Sequence, residues 1–185
     1  MVEITHLTMA ELEAGLDKIR QSPKDEGRLE MIVRRPSVDQ REVLETGQID
    51  LKKGLVGDYW RAMSLSRSGD GTADPHNQIT IMNSRVIALL AGDKARWPLA
   101  GDQLFIDLDL SDDNLPPGSR LALGAAVLEV SATPHTGCKK FAARYGLDAV
   151  KFVNSPVGKQ LNLRGINVRV IQPGEVRVGD LAKKL

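Results

Sequence analysis

Cysteine is almost absent from this chain of 185 residues: Cys138 is the only one. A single thiol forms no internal disulfide, which fits a reducing compartment, and it excludes a Cys-rich structural zinc site. Aromatic residues are scarce at 4%, so the core has to be built mainly from Leu, Val, Ile and Ala. No uninterrupted apolar run approaches the ~20 residues that cross a bilayer. The opening Met1-Val2-Glu3-Ile4-Thr5-His6 has neither the basic nor the apolar stretch of a secretory leader. We therefore expect a cytoplasmic protein without a membrane partner. Charge of one sign is also lacking. Lys and Arg number 25 against 24 Asp and Glu, a net charge of +1 that gives no overall basis for binding nucleic acid.

Several catalytic signatures are missing as well. There is no Gly-x-Gly-x-x-Gly and no P-loop. Ser64, Ser66 and Ser68 lie in no Gly-x-Ser-x-Gly elbow, which argues against a serine hydrolase. His6 and His76 have no partner at metal-ligand spacing, so the three protein ligands of a zinc enzyme are not expected.

What is present describes one modest core, with an ordinary 42% apolar content. Thr8-Met9-Ala10-Glu11 is a capping box flanked by a Leu7/Leu12 staple, and Leu12, Leu16 and Ile19 mark one face of a helix ending at Ser22-Pro23. Leu29, Met31 and Val33 alternate as a strand halted by Pro36. Residues 37–58 read as loop with short elements, and 66–77 as a long polar loop. Strands are predicted at 79–82, 104–110, 121–123 and 127–130, with a short helix over 85–91. Asp107 and Asp109 alternate with core positions and should face outward. Gly137 to Tyr145 reads as a helix in which Phe141 and Tyr145 face the core. Pro173-Gly174 predicts a hairpin joining the alternating runs Ile166-Val168-Val170 and Val176-Val178. The expected fold is mostly β (α+β), a barrel or sandwich with a few short peripheral helices. We divide it into an N-terminal extension over 1–54, packing on the barrel, and a barrel domain over 55–185. Exposed strand edges make a homodimer a candidate assembly.

Chemistry concentrates around the lone thiol. Cys138 lies three residues after His135 and directly before Lys139 and Lys140. Neighbouring positive charge favours the thiolate, which is the nucleophile and the metal ligand. A free cysteine also serves as a small buried hydrophobe, so a chemical and a packing role both remain open. His135 could steer the thiol as a base or simply cap a strand. Lys139, Lys140, Arg144 and Arg164 are candidates for a phosphate or pyrophosphate, and equally for a solvated face.

The order of motifs adds a resemblance. Gly101-Asp102, Asp113-Asn114-Leu115, Pro134-His135-Thr136-Gly137-Cys138 and Arg164-Gly165…Gly179-Asp180 together resemble the MOSC family, the domain described at the C-terminus of molybdenum-cofactor sulfurases. The resemblance covers roughly residues 55–182. Many members place proline before the cysteine and glutamate before Asn-Leu, where this chain has Gly137 and Asp113. The resemblance implies a β-barrel and a molybdenum-pterin cofactor (Moco), with Cys138 as metal ligand or sulfur carrier. It further implies that His135, Lys139, Lys140, Arg144, Arg164 and Asn114 surround the cofactor. The reaction in keeping with it is reduction of an N-hydroxylated small molecule, with electrons from a separate partner protein. A metal-free persulfide carrier and a non-catalytic anion- or partner-binding module are the alternatives. The pyridoxal-phosphate chemistry of full-length sulfurases belongs to another domain, so no Schiff-base lysine is expected.

Overall fold

The computed structural model describes residues 5–185. Thr8 caps helix α1 (Met9–Ala14) as the capping box predicts. Its hydroxyl accepts from the Glu11 amide at 3.4 Å, and the Glu11 carboxylate accepts from the Thr8 amide at 2.8 Å. Leu12 is buried, with Leu7 packed against the same core. The single helix expected here is interrupted at Gly15, and α2 (Leu16–Arg20) carries Ile19 into that core. Thr8→Ala removes the cap. We expect urea unfolding to show a loss of about 1 kcal/mol.

Strand β1 (Glu26–Arg34) follows. A β-bulge between Leu29 and Met31 breaks the simple alternation read from the sequence. Leu29 and Ile32 consequently enter the barrel interior, whereas Met31 and Val33 lie outside it beneath the helices. Residues 37–58 hold β2 (Glu42–Leu44), β3 (Thr46–Asp50) and β4 (Gly54–Leu55). Helix α3 (Trp60–Arg67) precedes a polar loop, and β5 (Ile79–Asn83) leads into α4 (Ser84–Ala91), which Gly92 ends as expected. A 3-10 segment over Lys94–Ala100 then returns the chain to β6 (Leu104–Asp107). The remaining strands are β7 (Arg120–Leu123), β8 (Ala126–Val130), β9 (Ile166–Gln172), β10 (Gly174–Arg177) and β11 (Leu181–Lys184). Between β8 and β9 come α5 (Lys139–Tyr145), α6 (Leu147–Asn154) and α7 (Pro156–Gln160).

Among the described residues, seven strands close into a barrel. Their order is β11-β7-β8-β9-β5-β6-β1, and β1 pairs back onto β11. Only β5 and β6 run parallel, joined by the α4 crossover. The interior is filled by aliphatic side chains such as Leu29, Ile81, Leu104, Leu128 and Val168. A second core lies between the outer wall and the helices, where five of the seven aromatics gather: Trp97, Phe105, Phe141, Tyr145 and Phe152.

Two expectations are corrected by the pairing. The hairpin around Pro173-Gly174 does not form. Strand β9 is already paired on both edges, with β5 and β8, so the returning β10 crosses to pair with β3 in a separate three-stranded sheet with β4. The boundary at residue 54 does not follow the sheet either. Both edges of β1 are taken, by β6 on one side and by β11 and β2 on the other, so this segment is a stave of the barrel.

Candidate functional site

The loop from Ser131 to Cys138 leaves β8 and crosses one end of the barrel before α5 begins. Three neighbours hold it. Asn167 on β9 donates from Nδ2 to the carbonyls of Thr133 (3.0 Å) and Pro134 (3.3 Å). Asn154, the last residue of α6, brackets Gly137: its Oδ1 accepts from the Gly137 amide at 3.0 Å and its Nδ2 donates to the Gly137 carbonyl at 3.2 Å. Gly137 is therefore fixed at both its polar groups.

The third hold is electrostatic. Asp102 follows Gly101, whose φ of +90° turns the chain out of the 3-10 segment. Its fully buried carboxylate is shared between Arg164 Nη1 at 2.6 Å and His135 Nε2 at 3.4 Å. Arg164 reaches this position because Gly165 (φ +111°) lets the chain run against the Ile81 carbonyl and the Asp102 carboxylate. The guanidinium also lies over the Phe141 ring, 4.7 Å from its centroid. Burial first, and then the charge of Arg164, push the His135 pKa down to about 4, against the opposing pull of Asp102. His135 is neutral at pH 7.

Around Asp102 four arginines donate to four consecutive carbonyls. Arg41 Nε reaches Pro98 (3.2 Å), Arg144 Nη1 reaches Leu99 (2.6 Å), Arg164 Nη2 reaches Ala100 (2.9 Å) and Arg35 Nη1 reaches Gly101 (3.0 Å). They satisfy the exposed end of the 3-10 segment and freeze the approach to Asp102. Arg35 is itself paired with the buried Asp58 at 2.7 Å. Arg35, Arg41, Asp58 and the role of Asp102 as a shared carboxylate escaped the sequence reading.

A cleft of about 540 Å³ opens beside this cluster, lined by Thr133, His135, Thr136, Lys159, Asn162 and Asn167 among others. Its size suits a small-molecule or cofactor site. Of the residues singled out from the sequence, His135 and Arg164 meet at the cleft. Cys138 is the N-cap of α5, with an exposed free thiol two residues beyond the cleft-lining Thr136. Lys139 is exposed beside it. Lys140 and Arg144 turn away to Asp39, at 3.2 and 3.3 Å, and strap α5 to the loop after β1. Asn114 is engaged elsewhere: Nδ2 donates to the carbonyls of Lys24 (2.9 Å) and Asp109 (2.8 Å), and Oδ1 accepts from Lys184 at 3.2 Å. Phe141 and Tyr145 are buried as their spacing predicts, 4.9 Å apart between ring centroids. Asp107 pairs with Arg85 at 2.7 Å at the surface of the sheet.

No three of His, Cys, Asp and Glu converge among the described residues. Among the described residues no helix is long and apolar enough to cross a membrane.

Comparison with known proteins bears on this arrangement. No curated protein matches the sequence. Solved structures do match the fold. One is described only as a hypothetical protein (17% identity, 90% of this chain and 70% of that one, TM-score 0.58). Another is the YuaD protein of Bacillus subtilis (19%, 86% and 95%, TM-score 0.56). A third is YiiM of Escherichia coli (18%, 85% and 69%, TM-score 0.54). At these identities the likeness establishes the fold alone. The family is established by sequence: the model of the MOSC domain matches residues 70–182, a span that runs from the loop before β5 into β11 and takes in the cleft, Asp102 and Cys138. The chain belongs to the MOSC domain family.

Proposed function

We propose that this protein binds a molybdenum-pterin cofactor and uses Cys138 in redox or sulfur-transfer chemistry. The observation that carries the reading is a single exposed thiol at the end of a loop whose preceding residues line a cleft of cofactor size. The residues present fit such a group. One buried polar atom in the cleft wall, Arg164 Nε, has no hydrogen-bond partner among the described residues. A structure that keeps polar atoms in this state generally uses them.

Cys138 would hold the metal through its thiolate, and the cleft walls would hold the organic part. When bound, the cofactor supplies two-electron chemistry at its metal. Asn154 keeps the Gly137 backbone from moving, so the thiol stays in register with the cleft. Lys139, which makes no ion pair among the described residues, is the free cation beside the thiol. Neutral His135 accepts a hydrogen bond and does not serve as an imidazolium acid. The overall reaction we assign is reduction of an N-hydroxylated small molecule. The N–O bond breaks, and two electrons and two protons give an N–H group and water. The electrons come from a separate redox protein.

The test is metal analysis of protein purified from a host that makes the cofactor, beside Cys138→Ala. We expect molybdenum near one per chain in the wild type and its loss in the variant. Molybdenum absent from both would overturn the proposal. A reductant-labile mass increase of one sulfur on Cys138 would then assign a persulfide carrier.

A further inference from the structure

Building on the redox role proposed above, we infer that the surface formed by α5, the 3-10 segment and the loop after β1 docks an acidic protein face, that of the electron donor. Hydrogen bonds join these three segments into one surface. Arg144 Nη1 donates to the Leu99 carbonyl and Arg96 Nη2 donates to the Arg144 carbonyl, both at 2.6 Å. Lys140 and Arg144 reach across to Asp39 at 3.2 and 3.3 Å, and Arg41 Nε donates to the Pro98 carbonyl at 3.2 Å.

The surface is strongly basic on a nearly neutral chain. Residues 36–41, 93–101 and 138–145 hold six cations, Arg41, Lys94, Arg96, Lys139, Lys140 and Arg144, against two carboxylates, Asp39 and Asp93. The whole chain carries only +1, so the remainder is net acidic. The acids gather instead along β6 and beyond it: residues 102–119 contain five aspartates and no Lys or Arg. The net charge therefore conceals a separation of charge that steers an acidic partner to one face.

The carboxylates within the surface do not neutralise it. Asp39 is shared between Lys140 and Arg144, and Asp93 accepts from the Ala95 amide at 2.9 Å as the cap of the 3-10 segment. Arg41, Lys94, Arg96 and Lys139 make no ion pair among the described residues. Burial, and then the charges of Arg144 and Arg35, lower the Arg41 pKa against the pull of Tyr59 and Asp39. An incoming carboxylate relieves this like-charge crowding.

The occupant follows from the same residues. Cys138 is the exposed N-cap of α5, so a protein seated here brings its redox group to the thiol that would hold the metal. Electron-transfer encounters are small, transient and electrostatically guided. Val38 and Leu99 are exposed within the same segments and give such a contact an apolar centre. A lipid surface requires a wider apolar face than these two provide.

The test titrates an oligo-glutamate peptide into the full chain, followed by amide chemical shifts. We expect shifts at Arg41, Lys94, Lys139 and Lys140, and affinity falling about 10-fold between roughly 50 and 200 mM salt. Lys94→Glu/Lys139→Glu reverses two exposed charges and should weaken the peptide about 10-fold or more. Each single change, expected to act in the same direction, serves should the double variant fail to fold. Shifts confined to other surfaces, or an affinity unchanged in the variants, would overturn the inference. So would tighter binding to phosphatidylserine vesicles than to the peptide, which would assign the surface to a membrane.

Protein loaded with molybdenum adds a second readout from two small electron donors, reduced anthraquinone disulfonate, an anion, and reduced methyl viologen, a cation. Reduction by the anion should slow with salt and in the double variant, and reduction by the cation should quicken. The same response to both donors would overturn the role in electron delivery. Peptide bound at this surface in protein that never loads molybdenum ends the redox reading and leaves an acidic docking face. Molybdenum loaded without peptide binding ends this inference and leaves the cofactor reading.

Discussion

Replacing Asp102 by alanine is expected to lower the unfolding free energy by about 3–5 kcal/mol, read from urea titration. The carboxylate has no solvent exposure and its nearest partner, Arg164 Nη1, is 2.6 Å away. Truncation leaves a guanidinium that cannot shed its proton in a site with almost no water. The Ala100 carbonyl still accepts one of its hydrogens, but nothing replaces the charge. His135 Nε2 loses its only neighbour at the same time. The double variant Asp102→Ala/Arg164→Met should recover most of the loss, because removing both partners leaves no orphaned charge. A cost below about 1 kcal/mol for the single change would mean that Arg164 finds another anion or water. Asp102 would then not be the organiser of this end of the barrel.

This cluster also shows where sequence legibility stops. The helices at both ends of the argument were readable because their signals are local. A capping box occupies four residues, and the four-residue spacing of Phe141 and Tyr145 is one helical turn. Cys138 was readable because it is alone. Asp102 and Arg164 are 62 positions apart, and residue types do not record which carboxylate a guanidinium will meet. The arginine bonds to the carbonyls of residues 98–101 are less visible still, because every residue owns a carbonyl.

Pairing was misread for a related reason. Pro173-Gly174 is a sound turn, but turn chemistry specifies only that the chain reverses. It does not say that both edges of β9 are already occupied. The alternation of Leu29, Met31 and Val33 was likewise real in the sequence and overruled by one bulge. The MOSC-type order of motifs carried the family and the barrel, since it samples segments that periodicity treats one at a time. It carried less about individual side chains. Asn114 sits in a resembling motif, yet its amide ties the Lys24 and Asp109 carbonyls together.

Acid should expose the buried histidine. Between pH 6.5 and 4 we expect wild-type stability to fall by up to about 3 kcal/mol more than that of His135→Phe. The folded pKa of about 4 lies below the ordinary value of 6.5. Above pH 6.5 neither state binds the proton, and the group is silent. Between the two values the unfolded chain is protonated while the folded chain is not, so falling pH favours unfolding. Below pH 4 both states hold the proton and the penalty stops growing. The side chain is 19% exposed, so water reaching it trims the figure. The groups in play are the desolvating walls first, then Arg164, with Arg35 adding to its effect and Asp102 opposing both. Parallel stability curves for wild type and His135→Phe would mean that Asp102 outweighs burial and the imidazole titrates normally.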